Sequence, residues 1–233
     1  ITGAAGGIGV GLVEALAEAG WSVLGSDHPS VSPPKRLLQR CQAWIPADLG
    51  ALSRDPHQLE TLRSSVLSAT ENDGLMAVVH NAAVQRLGSF EQLGLADWQE
   101  TLDVNLMAPV AISRALLPQL KRQCGSIVHI GSIHSQLTKP GFTAYATSKA
   151  ALAGLTRAMA VELGGSVRVN AIEPAAIATP MLEAGFAQNP DLRAHLDAFH
   201  PAGSIGSPGD VARTVLFLLN PANRFLNGCV LPL

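Results

Sequence analysis

Short apolar runs alternate along the chain with longer stretches in which apolar residues return every third or fourth position. The runs WSVLGS (21–26), QAWIP (42–46), LMAVVH (75–80), GSIVHIG (125–131), SVRVNAI (166–172) and NGCVLPL (227–233) read as strands. Several show little polar alternation, as parallel strands covered on both faces do. Helical patterns fall near 8–19, 55–71, 97–121, 143–163 and 208–219. In the fourth, Leu152, Leu155 and Met159 form a core-facing stripe. In the third, Pro109 is expected to kink the helix just beyond Asn105. This alternation predicts an α/β fold, a doubly wound parallel sheet of about seven strands with helices on both faces.

No linker, composition shift or repeat divides the 233 residues, so a single domain over 1–233 is expected. Its opening ITG and closing GCVLPL both fall inside strand-like runs, as if the ends were trimmed from a longer chain. The longest interruption, 174–210, follows a strand's carboxyl end and suits a substrate-covering segment. Met181, Leu182, Phe186, Leu196 and Phe199 supply apolar surface for such a lid.

Composition removes several function classes. Hydrophobic residues make up 47% and charged residues 15%, enough for a large core. The net charge of −2, without a basic stripe, argues against a nucleic-acid partner. Cys41, Cys124 and Cys229 have no CxxC spacing and are expected to be buried thiols in a reducing compartment. The histidines form no metal-binding spacing, so no metal is expected. With no apolar run of membrane-spanning length and no signal pattern, a cytoplasmic protein without a membrane partner is expected.

Chemistry enters with TGAAGGIGVGLVEALAEAG, which sets Gly3, Gly7 and Gly9 between a strand end and an amphipathic helix. Glycines there let the backbone approach a pyrophosphate, which the helix amino terminus attracts. Asp27 closes the next strand, where a carboxylate would accept from an adenosine ribose and repel a 2′-phosphate. Neither Gly6 nor His28 provides a fixed cation, so NAD is favoured over NADP. Further on, Ser132 ends an apolar strand thirteen residues before Tyr145, the only tyrosine, and Lys149 follows Tyr145 by one helical turn.

The TGxxxGxG spacing, HNAAV at 80–84, Ser132 and Tyr-xxx-Lys together resemble the short-chain dehydrogenase/reductase family, over nearly the whole chain. The resemblance implies a Rossmann-like fold and oxidation of a secondary alcohol, or the reverse, with a nicotinamide cofactor. It implies Tyr145 as acid/base, Lys149 as the cation lowering its pKa, and Ser132 as the donor to substrate oxygen. Asn105 would complete the set by holding a water that links Lys149 to solvent. Cofactor contacts implied are Gly3, Gly7, Ile8 and Gly9 at the phosphates, and Asp27, Asp48 and Leu49 at the adenosine. Asn81, Ala82, Ala83, Tyr145, Lys149, Pro174, Ile177 and Thr179 would serve the nicotinamide half. Ala83 and Ala175 replace the family's glycines and bring methyl groups toward that pocket.

Gln85 and His134 resemble substrate-binding residues of 3-hydroxybutyrate dehydrogenases, but Phe142 stands where those enzymes carry a lysine. A hydroxy acid, a polyol and a sugar all stay open as substrates. A dinucleotide sensor without turnover is the rival reading; Tyr145 and Lys149 speak against it. Nucleotide-sugar epimerase or dehydratase chemistry is a further alternative, disfavoured by the short carboxyl-terminal region. The helices at 97–121 and 143–163 match those that pair subunits in the family, so a homodimer or homotetramer is expected, with Ala144, Ala146, Ala150, Ala151 and Ala153 permitting close packing.

Overall fold

The computed structural model describes residues 1–70, 74–186 and 190–233. Helix α1 (Gly7–Glu18) leads to strand β1 (Leu24–Gly25), α2 (Lys35–Leu38), β2 (Ala43–Trp44), α3 (Leu49–Leu52), α4 (Pro56–Ala69) and β3 (Ala77–His80). Next come α5 (Leu95–Leu102), a π-helical turn (Asp103–Met107), α6 (Ala108–Arg122), β4 (Ser126–Ile130), a 3-10 turn (Ile133–Ser135) and α7 (Thr143–Leu163). The chain ends with β5 (Arg168–Glu173), α8 (Pro180–Phe186), α9 (Pro190–Ala198), α10 (Pro208–Leu219) and β6 (Val230–Pro232).

All strand pairs are parallel, with β1 beside β2 and β3, β4, β5, β6 in that order. Residues 1–2 join the two sets. Ser26 N donates to Ile1 O at 2.9 Å, and Thr2 N donates to Val79 O at 3.1 Å. Thr2 bridges Ser26 without forming a longer strand, so among the described residues six strands plus this bridge stand where about seven were expected. The chain therefore turns outward in both directions from residues 1–2, and a crevice opens at the strand carboxyl ends there.

Alternation along the strands supplies two cores. Val128, Ile130 and Ile172 pack with Leu12, Val13, Val215 and Leu218 of α1 and α10. Ile127 and Val169 face the other way, toward Leu62, Ile112, Leu116 and Ala160 of α4, α6 and α7. Both faces of β4 are buried, which is why SIVHI carries no polar-out rhythm.

Local chemistry explains the helix boundaries. Asp55 accepts from His57 N at the start of α4, with Pro56 in the first position, where its missing N–H is harmless. Ser207 and Asp210 form a reciprocal capping box at α10. The expected kink at Pro109 takes a different form. Helical winding continues through 95–122, but residues 103–107 widen into a π turn. An α-helical partner for the Asn105 carbonyl would be the N–H of residue 109, which proline lacks. The thiol expectation also fails: Cys41 and Cys229 are partly exposed, and Cys124 is exposed.

Candidate active site

Gly6 precedes α1, and no side chain caps that helix. Its first-turn N–H groups therefore face the crevice without a local acceptor, and no acidic residue of the first turn offsets their partial positive charge. Gly3 has φ +61°, a conformation that other residues adopt only under strain, and a Cβ there would lie 2.8 Å from Ala82 Cα. At Gly9 a Cβ would sit 2.0 Å from the Gly3 carbonyl oxygen, so only glycine lets the helix start this close to the loop. Thr179 packs on Gly7, where a Cβ would lie 2.6 Å from Thr179 Cβ. The segment after β5 thus lies over the glycine turn. These features fit a dinucleotide pyrophosphate.

Asn81 is part of the scaffold beneath this cradle. Its Nδ2 donates to the carbonyls of Thr2 (3.1 Å) and Gly3 (2.9 Å), while Thr2 Oγ1 accepts from the amides of Asn81 and Ala82. The Asn81 amide nitrogen is therefore engaged in holding the loop, a role its motif alone did not reveal. The backbone at Ala83 and Ala175 has no positive φ, since Cys124 alone among the described non-glycine residues has one. Alanine is unstrained at both positions. Ala83 is exposed and Ala175 N donates to Leu233 O at 2.7 Å.

A pocket of about 470 Å³ extends from Gly3 past Asp27, Asp48 and Leu49 to Ala82, Ala83 and Val104. The Asp27 carboxylate accepts from Ala5 N at 2.9 Å and from His28 N at 2.8 Å, which fixes it at the pocket edge. Asp48 caps α3 by accepting from Ala51 N, and its other oxygen lies 3.6 Å from His28 Nε2. Two residues the sequence reading passed over, Arg54 and Glu100, also line this pocket. Arg54 pairs with the buried Asp103 at 2.8 Å, and Arg86 grips Glu100 through two bonds of 2.7 and 2.6 Å. No sequence motif marks these pairs. A second, apolar cavity of about 440 Å³ runs alongside β1 and β3, between residues 21–26 and 74–79.

At the carboxyl end of β4 the backbone brings Ser132 beside Tyr145, close enough for its hydroxyl to favour the ionised phenol. Lys149 is 2% exposed, and its Nζ donates to Ile130 O at 2.8 Å. That nitrogen lies 5.6 Å from the Tyr145 ring centroid. Burial lowers the Lys149 pKa to about 8, so the ammonium form still prevails at neutral pH. In the chain alone, burial raises the phenol above its ordinary value, opposed by the nearby Ser132 hydroxyl. The phenol is held neutral.

Asn105 comes to the same place from the π turn, but its side chain does not reach for Lys149. Its Oδ1 accepts from Val84 N at 2.8 Å, and its Nδ2 donates to Val84 O and to Ser148 Oγ at 2.9 and 3.0 Å. Ser148, unremarked in the sequence, donates in turn to the Tyr145 carbonyl at 2.7 Å. Asn105 therefore ties the β3 loop to the helix that carries the Tyr/Lys pair. His134 lies against this site, its ring 6.1 Å from Tyr145 and 4.5 Å from Phe142, with Nδ1–H donating to Leu137 O. Gln85 is exposed. Of the expected lid, α8 and α9 are helical; Met181's side chain and residues 187–189 lie outside the described set. Among the described residues no metal-binding cluster is present, and no helix is long and apolar enough to cross a membrane.

The sequence model of a family described as Enoyl-(Acyl carrier protein) reductase matches residues 3–233. The chain belongs to the short-chain dehydrogenase/reductase family. An uncharacterized oxidoreductase of Schizosaccharomyces pombe is 34% identical over 99% of this chain and 86% of its own length. The 2-(S)-hydroxypropyl-CoM dehydrogenase 3 of Xanthobacter autotrophicus is 30% identical over 98% of this chain and 91% of its own. Among solved structures, the aldohexose dehydrogenase of Thermoplasma acidophilum superposes with a TM-score of 0.87 at 27% identity, covering 100% of this chain and 90% of that one. As a short-chain dehydrogenase/reductase, the chain carries an oxidoreductase scaffold with a Rossmann fold.

Proposed function

We propose that this chain is an NAD(H)-dependent oxidoreductase that interconverts a secondary alcohol and a ketone, with Tyr145 as the acid/base. The observation that carries the reading is the buried Lys149, its Nζ 5.6 Å from the Tyr145 ring centroid and donating to Ile130 O at 2.8 Å, two residues before Ser132. Ser132 donates to the substrate oxygen and stabilises negative charge developing there. Tyr145, neutral in the chain alone, is set to give a proton to a carbonyl oxygen during reduction. In oxidation it takes the alcohol proton as a phenolate, with Lys149 and Ser132 supporting that form. Bound NAD supplies the hydride acceptor and a positive charge. Asn105 acts at one remove, by holding the Tyr145 helix against the β3 loop.

Preference for NAD rests on the charge around Asp27. Each guanidinium near the adenosine pocket is engaged with a carboxylate, Arg54 with Asp103 and Arg86 with Glu100. His28 lies beside Asp48. Among the described residues, none of these leaves a free cation for a 2′-phosphate, while Asp27 repels one. Self-association belongs to the same reading. Leu95, Met107 and Val161 are exposed on the outer faces of the helical layer. Of the alanines expected to pack there, Ala144 and Ala153 are instead buried within their own subunit.

The deciding experiment offers hydroxy acids, polyols and aldoses with NAD or NADP and follows nicotinamide absorbance. Turnover with NAD, lost in Tyr145→Phe while cofactor binding persists, is the expected result. Turnover unchanged in that variant would refute the assignment.

A further inference from the structure

Glu173 ends β5, is 1% exposed, and is not needed for proton transfer in the reading above. A carboxylate buried this deeply requires hydrogen-bond donors. Among the described residues it has two: the Ser135 hydroxyl and Gln136 Nε2, the latter at 2.9 Å. Both belong to the short turn that follows Ser132. The backbone binds that turn to β5 by Gly131 N to Ile172 O (2.7 Å) and Ile133 N to Pro174 O (3.1 Å). Gly131 leaves the room for this arrangement, because a Cβ there would lie 3.1 Å from Glu173 Cγ. Ser132 itself is extended (φ −167°), and its hydroxyl accepts from His134 N within the same turn. The direction of that hydroxyl therefore depends on what holds residues 133–136.

Glu173 is also continuous with the segment that begins at Pro174 and reaches Thr179, packed on Gly7. One carboxylate thus joins the turn of Ser132 to the segment lying over the glycine cradle. We propose that Glu173 is a positioning residue, which sets the Ser132 hydroxyl against the Tyr145 phenol by gripping Ser135 and Gln136. Its effect on turnover rests on the function proposed above; its effect on where the Ser132 hydroxyl lies relative to Tyr145 does not.

Because Tyr145 is the only tyrosine, a carbon-13 label at the tyrosine ζ carbon gives one resonance that reports this phenol alone. The spectrum is recorded on the full chain without substrate or cofactor at neutral pH, for Glu173→Ala, Glu173→Gln, Ser132→Ala and the Glu173→Ala/Ser132→Ala double variant. Ser132→Ala is expected to move the resonance and raise the phenol's titration midpoint, since the Ser132 hydroxyl favours the ionised form. Glu173→Ala should move the resonance at least half as far in the same direction, and add nothing in the Ser132→Ala background. Glu173→Gln, which keeps an acceptor, should lie between Glu173→Ala and the native chain.

A resonance unmoved by Glu173→Ala, or a shift that simply adds to that of Ser132→Ala, overturns the proposal. Should Glu173→Ala fail to fold, Ser135→Ala and Gln136→Ala each remove one donor, and native positions in both overturn it equally. With an active substrate, kcat should fall in Glu173→Ala while cofactor affinity stays within about threefold, the split expected when only a transition-state contact is misplaced. Absence of any dehydrogenase activity would defeat the functional reading and leave the resonance test standing.

Discussion

Lys149 Nζ donates to the carbonyl of Ile130 at 2.8 Å, and Ile130 stands two residues before Ser132. The cation and the serine are thus referred to the same strand end, although they lie on different elements. Substitution of Lys149 by Met should keep the bulk, remove the bond and the charge, and reduce turnover by about 10²-fold or more. Steady-state kinetics with a confirmed substrate would show it. A loss smaller than tenfold would mean the ammonium contributes little.

Tyr145→Phe removes one oxygen from a partly buried ring and leaves its packing against His134 and Phe142. Turnover should fall by on the order of 10²–10⁴-fold, the usual contribution of a positioned acid/base. Cofactor affinity, measured by calorimetry, should change by less than about threefold.

Ketone reduction should weaken as pH rises through about 8, where the buried Lys149 loses its proton. Reduction needs a phenol that is still protonated and a neighbouring cation to stabilise the charge left after proton transfer. The pH profile of kcat/KM for reduction checks this. A reduction rate that climbs between pH 8 and 9 is incompatible with it.

His80 and His129 face each other across β3 and β4, ring centroids 5.3 Å apart. Thr156 Oγ1 donates to Leu152 O, so it accepts from His129 Nδ1–H at 2.8 Å, which leaves buried His129 Nε2 without a partner among the described residues. Burial lowers both pKa values, His129 to about 3 with Lys149 adding to the effect, and His80 well below 6.5 with His129 adding. The unfolded chain therefore binds more protons, and stability is complete above pH ~6.5 and declines below it. Each imidazole contributes a slope of up to about 1.4 kcal/mol per pH unit. Urea denaturation from pH 7 to 4 should show a shallower acid limb in His129→Gln than in the native chain.

Asp27→Ser should relax discrimination between the cofactors by raising affinity for NADP, measured as the ratio of dissociation constants. Because Arg54 and Arg86 stay engaged with Asp103 and Glu100, the variant should not become selective for NADP. Strong NADP selectivity would show that one of these guanidiniums is free to turn.

The features legible in the linear chain are those whose causes are local. Continuous apolar runs announced β3, β4 and β5, because strands covered on both faces need no polar alternation. The glycine spacing announced a tight turn into a helix, and Tyr145 and Lys149 were bound to share a face because a helix repeats every 3.6 residues. Short α2 and α3 escaped notice because four residues are too few to show a period. Chain folding alone decided the rest. Glu173 meets Ser135, Arg54 meets Asp103, and Asn105 meets Val84 only once distant segments pack, and no periodicity encodes those encounters. The direction of the Tyr145 pKa shift was hidden for the same reason. It follows from how much water surrounds the phenol, and burial is a property of the assembled structure.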